Sequence, residues 1–267
     1  MKVRLFVNEQ KISEKNLLDF KTKLLDNGFE IVENGYEIAI AIGGDGTFLR
    51  MVKETNFASD IAYVGINCGT LGFLQEVKFS DIDIFIEELK KGYYRLDEIG
   101  IQETMVEYQD GIAKFYSLNE IVIRRANLKA IHLDISIEKN FLEHFMGDGI
   151  LIASSIGSTA YNLSVGGSIV YDTFSTLQMT PLAPINTQAY KTIFNSIILP
   201  SQKEIILKPH ASNQDIIIII DGEITHYQEV SKITTKIDTK KIKLLRLSHY
   251  NFPQKINEKL LSHSDLS

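Results

Sequence analysis

The sequence has little of several residue types that would mark a particular class of protein. Among its 267 residues there is no tryptophan and one cysteine, Cys68, so an intrachain disulfide framework is excluded and a reducing compartment, the cytoplasm, is expected. No histidine neighbours this cysteine to activate its thiol, so we expect it to be inert. Lys+Arg 28 against Asp+Glu 34 gives a net charge of -6, which does not indicate a nucleic-acid-binding surface.

Long apolar runs are also missing. The longest, Ile216 to Ile220, has the length of a strand, and the N-terminus enters the apolar segment Val3 to Val7 directly, without a signal-peptide pattern. We therefore expect no membrane association. The six histidines, among them His132, His144 and His226, show no metal-ligand spacing. They are assigned to the structure or the surface.

The first third of the sequence alternates short apolar runs with amphipathic segments. This alternation predicts an α/β domain with a parallel sheet, and ligands bind at the carboxyl ends of such strands. We place that domain at residues 1–98. The predicted strands are Val3 to Val7, Glu37 to Ile42 and Ile61 to Ile66, and the predicted helices are Ser13 to Asn27 and Ser80 to Lys91, ended by Gly28 and Gly92.

Between Asp97 and Ile101 the pattern changes to short strands, so residues 99–249 are predicted to form a mainly β domain, a β-sandwich or a related form. Gln109 to Gly111 indicates a hairpin turn, and Ile131 to Glu138 alternates apolar and polar residues without a break. One helical island is expected at Thr159 to Val165. The remaining predicted strands are Ile101 to Tyr108, Lys114 to Leu118, Ile197 to Leu199, Glu204 to Leu207, Asp215 to Ile220, Ser231 to Ile237 and Lys241 to Leu247.

The clearest candidate site follows the strand at Glu37 to Ile42, where Gly43-Gly44-Asp45-Gly46-Thr47 leads into a helix. Free backbone N–H groups and the helix dipole favour a phosphate at such a loop. Asp45 would repel that phosphate unless it orders a metal ion or accepts a proton from a hydroxyl. An ordinary turn with Asp45 as a helix cap remains the alternative. The P-loop and G-x-G-x-x-G patterns both fail here.

Further polar clusters lie at Asn67 to Leu74, Leu118 to Glu120, Gly147 to Gly149 and Gly157 to Ser164. Taken singly, each is also compatible with a plain turn or a solvated strand end. Tyr161 has a ring that can stack on a base.

In identity and order, the five motifs resemble those of the NAD kinase family. They are Gly-Gly-Asp-Gly-Thr, Asn-x-Gly-x-Leu-Gly-Phe-Leu, Leu-Asn-Glu, Asp-Gly and Gly-Ser-Thr-Ala-Tyr, and the resemblance covers Ile38 to Asp221. Diacylglycerol, sphingosine and 6-phosphofructo-kinases share relatives of the first motif alone. The resemblance implies transfer of the terminal phosphoryl group of ATP, or of polyphosphate, to the adenosine-ribose 2′-hydroxyl of NAD, which gives NADP.

The resemblance also implies a fold and an assembly: a Rossmann-like α/β domain, then a β-sandwich domain, with a C-terminal segment, 250–267, that packs back on the first domain. Members are commonly homodimers or homotetramers that partly share the NAD site. Mg²⁺ is expected to enter with ATP by bridging phosphate oxygens.

Residue roles follow from the matching positions. Asp45 corresponds to the general base on the 2′-hydroxyl, and Gly43, Gly44 and Thr47 to the phosphate-binding loop. The remaining matches are to positions that bind NAD: Gly46, Asn119, Glu120, Asp148, Thr159, Ala160, Tyr161, Asn162, Ser164 and Ala183.

Three positions depart from the family pattern. Met146 stands where some members have arginine, Ile156 interrupts a Ser-Thr-Pro-Thr/Ser segment, and Thr187 replaces an asparagine. One basic contact to a ligand phosphate is therefore missing or comes from elsewhere. Two rival functions remain open: a non-catalytic NAD(P)-binding sensor on the same fold, and a lipid kinase that shares the first motif.

Overall fold

The computed structural model describes residues 1–69, 72–188, 191–210 and 215–261. The chain divides into two compact units. The first comprises Met1–Ile99 and the chain from Lys240 onward, and the second comprises Gly100–Thr239. No helix in the described ranges is long and apolar enough to cross a lipid bilayer.

The N-terminal part of the first unit is an α/β structure, as the alternation predicted. Its elements are β1 (Lys2–Val7), α1 (Glu14–Asp26), β2 (Glu30–Ile31), β3 (Ile38–Gly43), α2 (Asp45–Glu54), β4 (Ala62–Asn67), β5 (Val77–Lys78) and α3 (Ile82–Lys91). The strands pair in parallel in the order β5-β4-β3-β1-β2. Every residue of β3 and β4 is buried, which is typical of central parallel strands.

The helix ends of this unit follow the local sequence signals. The Ser13 hydroxyl accepts a hydrogen bond from Asn16 N at 3.2 Å, which confirms Ser13 as the N-cap of α1. Gly92 adopts φ +71° and ends α3, as predicted. A 3₁₀ turn at Phe79–Asp81 precedes α3, so the α-helix begins two residues later than the sequence predicted.

The second unit contains two antiparallel sheets. Its elements are β6 (Tyr94–Tyr108, which begins in the first unit), β7 (Gly111–Ser117), β8 (Glu120–Arg125), β9 (Ile131–Ile137), β10 (Asn140–Gly147), β11 (Gly149–Ser154), α4 (Tyr161–Ser164), β12 (Thr176–Leu182), β13 (Ile197–Pro200), β14 (Ile205–Pro209), β15 (Ile216–Ile220) and β16 (Glu223–Tyr227). Apolar residues of both sheets share one core, which confirms the predicted β-sandwich.

The strands of this unit pair in two groups. One sheet has the order β13-β12-β11-β8-β15-β16. The other contains β10-β9-β14, followed by β17 (Lys232–Leu247), which also pairs with the β6–β7 hairpin.

Several strands differ from the sequence-based prediction. The strands β8, β10, β11, β12 and β16 were missed, and the two segments predicted at Ser231 to Ile237 and Lys241 to Leu247 form the single strand β17. Exposed Thr239 and Lys241 interrupt the apolar pattern of β17. The strand continues through them because ladder hydrogen bonds, which do not depend on side-chain polarity, hold the backbone. The helical island is a 3₁₀ turn at Ile156–Thr159 followed by α4.

The chain from Lys240 onward belongs to the first unit. The last part of β17 pairs in parallel with β4, with Lys243 opposite Ala62. Helix α5 (Phe252–Ile256) follows, capped by the Asn251 side chain, and continues as a π-helical turn at Asn257–Leu261. The boundaries near residues 98 and 250 stay predictions about folding domains, because a compact unit is not yet a domain that folds independently.

Candidate active site

The first glycine loop lies between β3 and α2, and Asp45 is the first residue of that helix. Its carboxylate accepts two backbone hydrogen bonds, from Phe73 N to Oδ2 at 2.8 Å and from Leu74 N to Oδ1 at 3.0 Å. Asp45 therefore holds the end of the second glycine motif against the first. Thr70 and Leu71 of that motif lie outside the described residues.

The glycines of these two motifs serve different purposes. A Cβ on Gly72 would lie 1.8 Å from Asp45 Oδ1, and one on Gly43, whose φ is +154°, would lie 2.4 Å from Thr47 Oγ1. Both positions thus need glycine for packing. A Cβ on Gly44 or Gly46 would meet nothing within 4 Å. The backbone beside these two residues is open to an approaching ligand, as a phosphate site requires.

Two lysines from the C-terminal segment lie near this loop. The pKa of Lys255 is lowered to about 8, first by burial and then by the Arg246 charge, while the Glu76 and Asp45 carboxylates oppose the change. Burial also lowers the pKa of Lys259, again against the effect of Asp45, and its ammonium lies 4.7 Å from the Phe73 ring centroid. The lysines place positive charge close to Asp45, where a polyanionic ligand would benefit from it.

An ion pair buried in the same unit fixes the segment that carries these lysines. Arg246 Nη1 lies 3.1 Å from Glu76 Oε2, both side chains are under 5% exposed, and Glu76 Oε1 also accepts the Leu247 N–H. The sequence analysis did not identify Arg246, Lys255 or Lys259 as site residues. None of the three belongs to a motif, so only the fold relates them to the glycine loop.

In the second unit, the Leu118-Asn119-Glu120 motif is organised by Asp221. Its carboxylate accepts three backbone hydrogen bonds, from Leu118 N at 2.7 Å, Asn119 N at 2.8 Å and Glu120 N at 3.2 Å. Asp221 itself has φ +46°, a conformation that a non-glycine residue adopts at some cost. Asp221 follows the isoleucine run in sequence, and only the fold shows that it shapes this motif.

The side chains of this motif end in buried acceptors that lack donors. Within the described ranges, Asn119 Oδ1 and Glu120 Oε2 are buried and have no hydrogen-bond partner. Burial, together with a smaller effect of the neighbouring Asp221 charge, raises the pKa of Glu120 to about 8. Burial also raises the pKa of Asp221 to about 6, against its three N–H donors. Adjacent unpaired acceptors are rare in a protein interior and indicate a place for a ligand that donates hydrogen bonds.

The Gly157-Ser158-Thr159-Ala160-Tyr161 turn is fixed against this motif. Ser154 Oγ donates to Leu118 O at 2.6 Å and accepts from Gly157 N at 3.1 Å. A Cβ on Gly157 would lie 2.0 Å from Asn119 O, so only glycine permits this approach. Thr159 and Ala160 are partly buried and Tyr161 is exposed, so the turn offers polar and aromatic groups beside Asn119.

Two other predicted residues of this stretch differ sharply in exposure. Asn162 is fully buried, and its amide nitrogen donates to Gln178 Oε1 while its oxygen accepts from Thr180 Oγ1. Its polar atoms are thus engaged inside the protein, and its role as an NAD ligand stays a prediction. Ser164, at the end of α4, is exposed.

Asp148 and Ala183 form a separate group. The Asp148 N–H donates to Leu182 O at 2.9 Å, and Ala183 adopts φ +43°. They lie at the opposite end of β11 from Ser154, with Asp148 roughly 20 Å away at about 3.4 Å per residue. The structure does not bring this pair to the Asn119 cluster within one chain.

Arg124 offers a basic group where Met146 departs from the family pattern. Its Nη2 lies 3.8 Å from Asp148 Oδ2, and its Nε donates to Asp148 O at 3.3 Å. Arg124 faces Gly149 across the ladder of β8 and β11. An arginine on the neighbouring strand thus stands near the aspartate, although no sequence spacing related the two residues.

Comparison with known proteins identifies the family. The model of the ATP-NAD kinase N-terminal domain matches residues 4–94, and that of the ATP-NAD kinase C-terminal domain matches residues 118–243. The NAD kinase of Finegoldia magna is 38% identical over 86% of this chain and 87% of its own length. That of Latilactobacillus sakei is 28% identical over 97% of each chain.

The chain belongs to the NAD kinase family.

Solved structures of NAD kinase relatives share the fold. A yeast NADH kinase crystallised with NADH aligns with a TM-score of 0.85 at 22% identity, over 100% of this chain and 90% of its own. An NAD kinase from Archaeoglobus fulgidus crystallised with ATP aligns with a TM-score of 0.78 at 17% identity, over 97% and 98%. The resemblance stated from the five motifs is thereby confirmed, together with the two-part fold it implied.

Proposed function

We propose that this chain phosphorylates the 2′-hydroxyl of the adenosine ribose of NAD with ATP to make NADP. One observation carries the NAD-binding part of the proposal: the adjacent buried acceptors Asn119 Oδ1 and Glu120 Oε2, which lack donors among the described residues. An adenosine group offers hydroxyl and amino donors that match them. The motif between Gly43 and Thr47, with open backbone at Gly44 and Gly46, supplies the phosphate-binding part.

Asp45 acts as the general base in this proposal. An alcohol is a poor nucleophile at neutral pH, so a carboxylate that takes its proton while the bond to phosphorus forms lowers the barrier. The hydrogen bonds from Phe73 N and Leu74 N orient the Asp45 carboxylate. Each carboxylate oxygen has two acceptor sites, so capacity for a hydroxyl proton remains.

The phosphoryl donor is proposed to bind at the first loop. Gly43, Gly44 and Thr47 surround the phosphates, and Lys255 and Lys259 add positive charge near Asp45. Mg²⁺ enters as part of the Mg–ATP substrate and neutralises phosphate oxygens. Polyphosphate offers the same phosphate oxygens and is the alternative donor.

The remaining assigned residues are proposed to bind the dinucleotide. Gly46 borders the loop, and Thr159, Ala160, Tyr161, Asn162 and Ser164 form the adenine side. Asp148 and Ala183 lie apart from this cluster, which supports a site completed by a second chain, with a homodimer or homotetramer as the assembly. The proposed location is the cytoplasm.

The test is direct. Purified protein is incubated with NAD, Mg²⁺ and either ATP or polyphosphate, and NADP is detected with an NADP-specific dehydrogenase. Asp45→Asn serves as the inactive variant. Asp110→Asn, at the exposed hairpin turn between β6 and β7, is its matched control. Protein-dependent NADP formation that Asp45→Asn abolishes and Asp110→Asn retains would support the proposal.

Two results would contradict it. Folded protein that binds NAD but forms no NADP with either donor would favour the sensor function. Phosphorylation of a diacylglycerol or sphingosine in vesicles, with none of NAD, would favour the lipid kinase. Size-exclusion chromatography with light scattering on the same samples tests the assembly.

A further inference from the structure

Three side chains converge on one face of the sheet formed by β9, β10 and β14, away from the motifs used above. Asp134 Oδ1 lies 2.6 Å from His144 Nδ1 and 3.3 Å from His210 Nδ1. The ligand atoms of all three residues lie within 4.8 Å of one another. In the described part of the chain, this is the one group of three His, Cys, Asp or Glu side chains gathered so closely.

The sheet itself fixes the three positions. Asp134 on β9 pairs directly with His144 on β10 and, on its other side, with Lys208 on β14. His210 follows β14 by one residue, and its N–H donates to His132 O at 3.0 Å, which anchors it to β9. Neighbouring strands lie about 4.8 Å apart, so Asp134 and His144, which share one cross-strand row, stand at the spacing of metal ligands, and His210 reaches Asp134 along the diagonal.

The face that carries these residues is accessible to an ion. Leu133 and Ile135, which flank Asp134 on β9, are buried in the sandwich core, so strand alternation turns Asp134 to the opposite face. Asp134 is partly exposed, and His144 and His210 are exposed. The Phe141 ring lies 4.6 Å from the His144 ring and packs against it.

We propose that Asp134, His144 and His210 bind a divalent transition metal ion, with Zn²⁺ as the best match. Zn–N distances of about 2.0–2.1 Å in a tetrahedral site place ligand atoms about 3.3 Å apart. The Asp134–His210 separation already has that value at 3.3 Å. The Asp134–His144 pair, at 2.6 Å, is a hydrogen bond and must open by about 0.7 Å when the metal replaces its proton.

The donor set decides which ions compete. Two imidazoles and a carboxylate suit Zn²⁺, Co²⁺ or Ni²⁺, whereas Mg²⁺ and Ca²⁺ prefer oxygen ligands alone. Three protein ligands leave the fourth position to water. Lys208 is the cation that opposes binding, because it pairs with Asp134 across the ladder. Its side chain is exposed, so its ammonium can turn into solvent.

The experiment uses the full chain without an affinity tag, since a polyhistidine tag would bind the same ions. Zn²⁺ alone is titrated by calorimetry and Co²⁺ alone by visible absorption. One ion per chain is expected, and a higher unfolding temperature with Zn²⁺ because the ion joins three strands. Acid should weaken binding, because protons compete with a metal ion for its ligand atoms.

The variants test the assignment. His144→Ala and His210→Ala should each weaken Zn²⁺ binding at least tenfold, since loss of an outer partner alone costs about 10–100-fold. His144→Gln keeps a polar side chain, so it serves if His144→Ala does not fold. His249→Ala is the matched control, because His249 is an exposed histidine 3.9 Å from the Glu88 carboxylate, outside this cluster. Its affinity should equal that of the parent chain.

Two outcomes would overturn the proposal. One is the absence of Zn²⁺ and Co²⁺ binding up to millimolar concentration in folded protein. The other is binding that His144→Ala and His210→Ala leave unchanged, which would place the ion elsewhere. Both outcomes are independent of NADP formation, because none of the three residues has a role in the proposed reaction.

Discussion

The carboxylates of Asp45, Glu120 and Asp221 have different surroundings in the two units. In the first unit, Asp45 accepts two backbone N–H groups and so holds a neighbouring loop. In the second unit, Asp221 does the same with three N–H groups, while Glu120 beside it is buried with one oxygen that has no partner in the described ranges. Within one cluster, the Asp221 carboxylate is thus supplied with N–H donors, whereas Glu120 Oε2 lacks a donor among the described residues.

This difference separates acids that organise the backbone from an acid kept for a ligand. A buried carboxylate with several N–H donors stabilises the loop around it, whereas one without donors destabilises the free protein. Glu120 therefore destabilises the free protein, and a bound ligand that donates a hydrogen bond to it would remove this cost. Asp45 combines the two roles. It organises the backbone through two N–H groups, and its position at the glycine loop also suits it for proton transfer.

The largest effect is expected for Asp45→Asn. The amide keeps the shape but cannot take a proton, so turnover should fall about 10²–10⁴-fold while NAD still binds. One of the two N–H groups of the neighbouring loop also loses its acceptor, because the amide has a single oxygen. Steady-state kinetics and NAD binding by calorimetry separate these effects. Near-full turnover by Asp45→Asn would show that Asp45 is not the general base and that it only holds the neighbouring loop.

A pair of glycine substitutions compares the two units directly. Gly157→Ala forces Cβ to within 2.0 Å of the Asn119 carbonyl oxygen, whereas Gly72→Ala forces it against the Asp45 side chain. A backbone atom moves less readily than a side chain, so Gly157→Ala should lower the free energy of unfolding more, by about 3 kcal/mol. Gly72→Ala should chiefly reduce turnover, through displacement of Asp45. Denaturant unfolding and kinetics on both variants measure the contrast, and equal stability losses would contradict it.

Asp221→Asn should disturb the Leu118–Glu120 motif without touching the first unit. An amide offers one acceptor oxygen to three N–H donors, so we expect a loss of about 1–3 kcal/mol in the free energy of unfolding. Removal of its charge should also lower the pKa of Glu120. Chemical denaturation and the KM for NAD are the readouts. An unchanged KM would show that Asp221 does not position the motif.

Glu120→Gln tests the cost of the unpaired acid through pH. The folded pKa of about 8 lies above the unfolded value of 4.5, so from pH 5 to 8 the unfolded chain has lost a proton that the folded chain retains. The stability of the free protein should therefore fall as pH rises through this window, by roughly 4 kcal/mol over its three pH units, since one pKa unit corresponds to about 1.4 kcal/mol.

The variant should show a flatter profile, because glutamine does not titrate. Unfolding midpoints at pH 5.5 and 8 for both proteins measure the difference. Parallel profiles would mean that Glu120 does not carry this burial cost. Saturation of the parent chain with NAD should offset the cost of burying Glu120 and so raise the unfolding midpoint of that chain.

The sequence predicted the first unit better than the second. Strands β3 and β4 are almost wholly apolar and β1 is apolar apart from Lys2 and Arg4, and α1 has both a serine cap and a glycine stop, so local signals there agree with the fold. In the second unit, β11 and β12 were missed although every residue of β11 is buried. A glycine-flanked aspartate before β11 resembled an isolated turn, and only pairing with β8 and β12 makes the segment a strand.

The residues of the candidate site also divide into those that the sequence predicted and those that it did not. Asp45, Asn119 and Glu120 were found because each belongs to a motif of adjacent residues. Arg124 was missed because its relation to Asp148 runs across two strands and not along the chain. The same holds for His144 and His210, which the sequence assigned to structure or surface for lack of spacing.

By itself, the sequence determined the α/β and β-sandwich parts and the glycine loop with Asp45, because backbone sterics and apolar periodicity act over a few residues. The family followed from the resemblance of five motifs, each a run of adjacent residues. Tertiary structure alone decided that Asp221 organises the Glu120 motif, that Glu120 Oε2 has no hydrogen-bond partner among the described residues, and that Asp134 meets two histidines. These relations join residues on separate strands, and their energies depend on burial and on distance in space, neither of which is written in the spacing of residues along a chain.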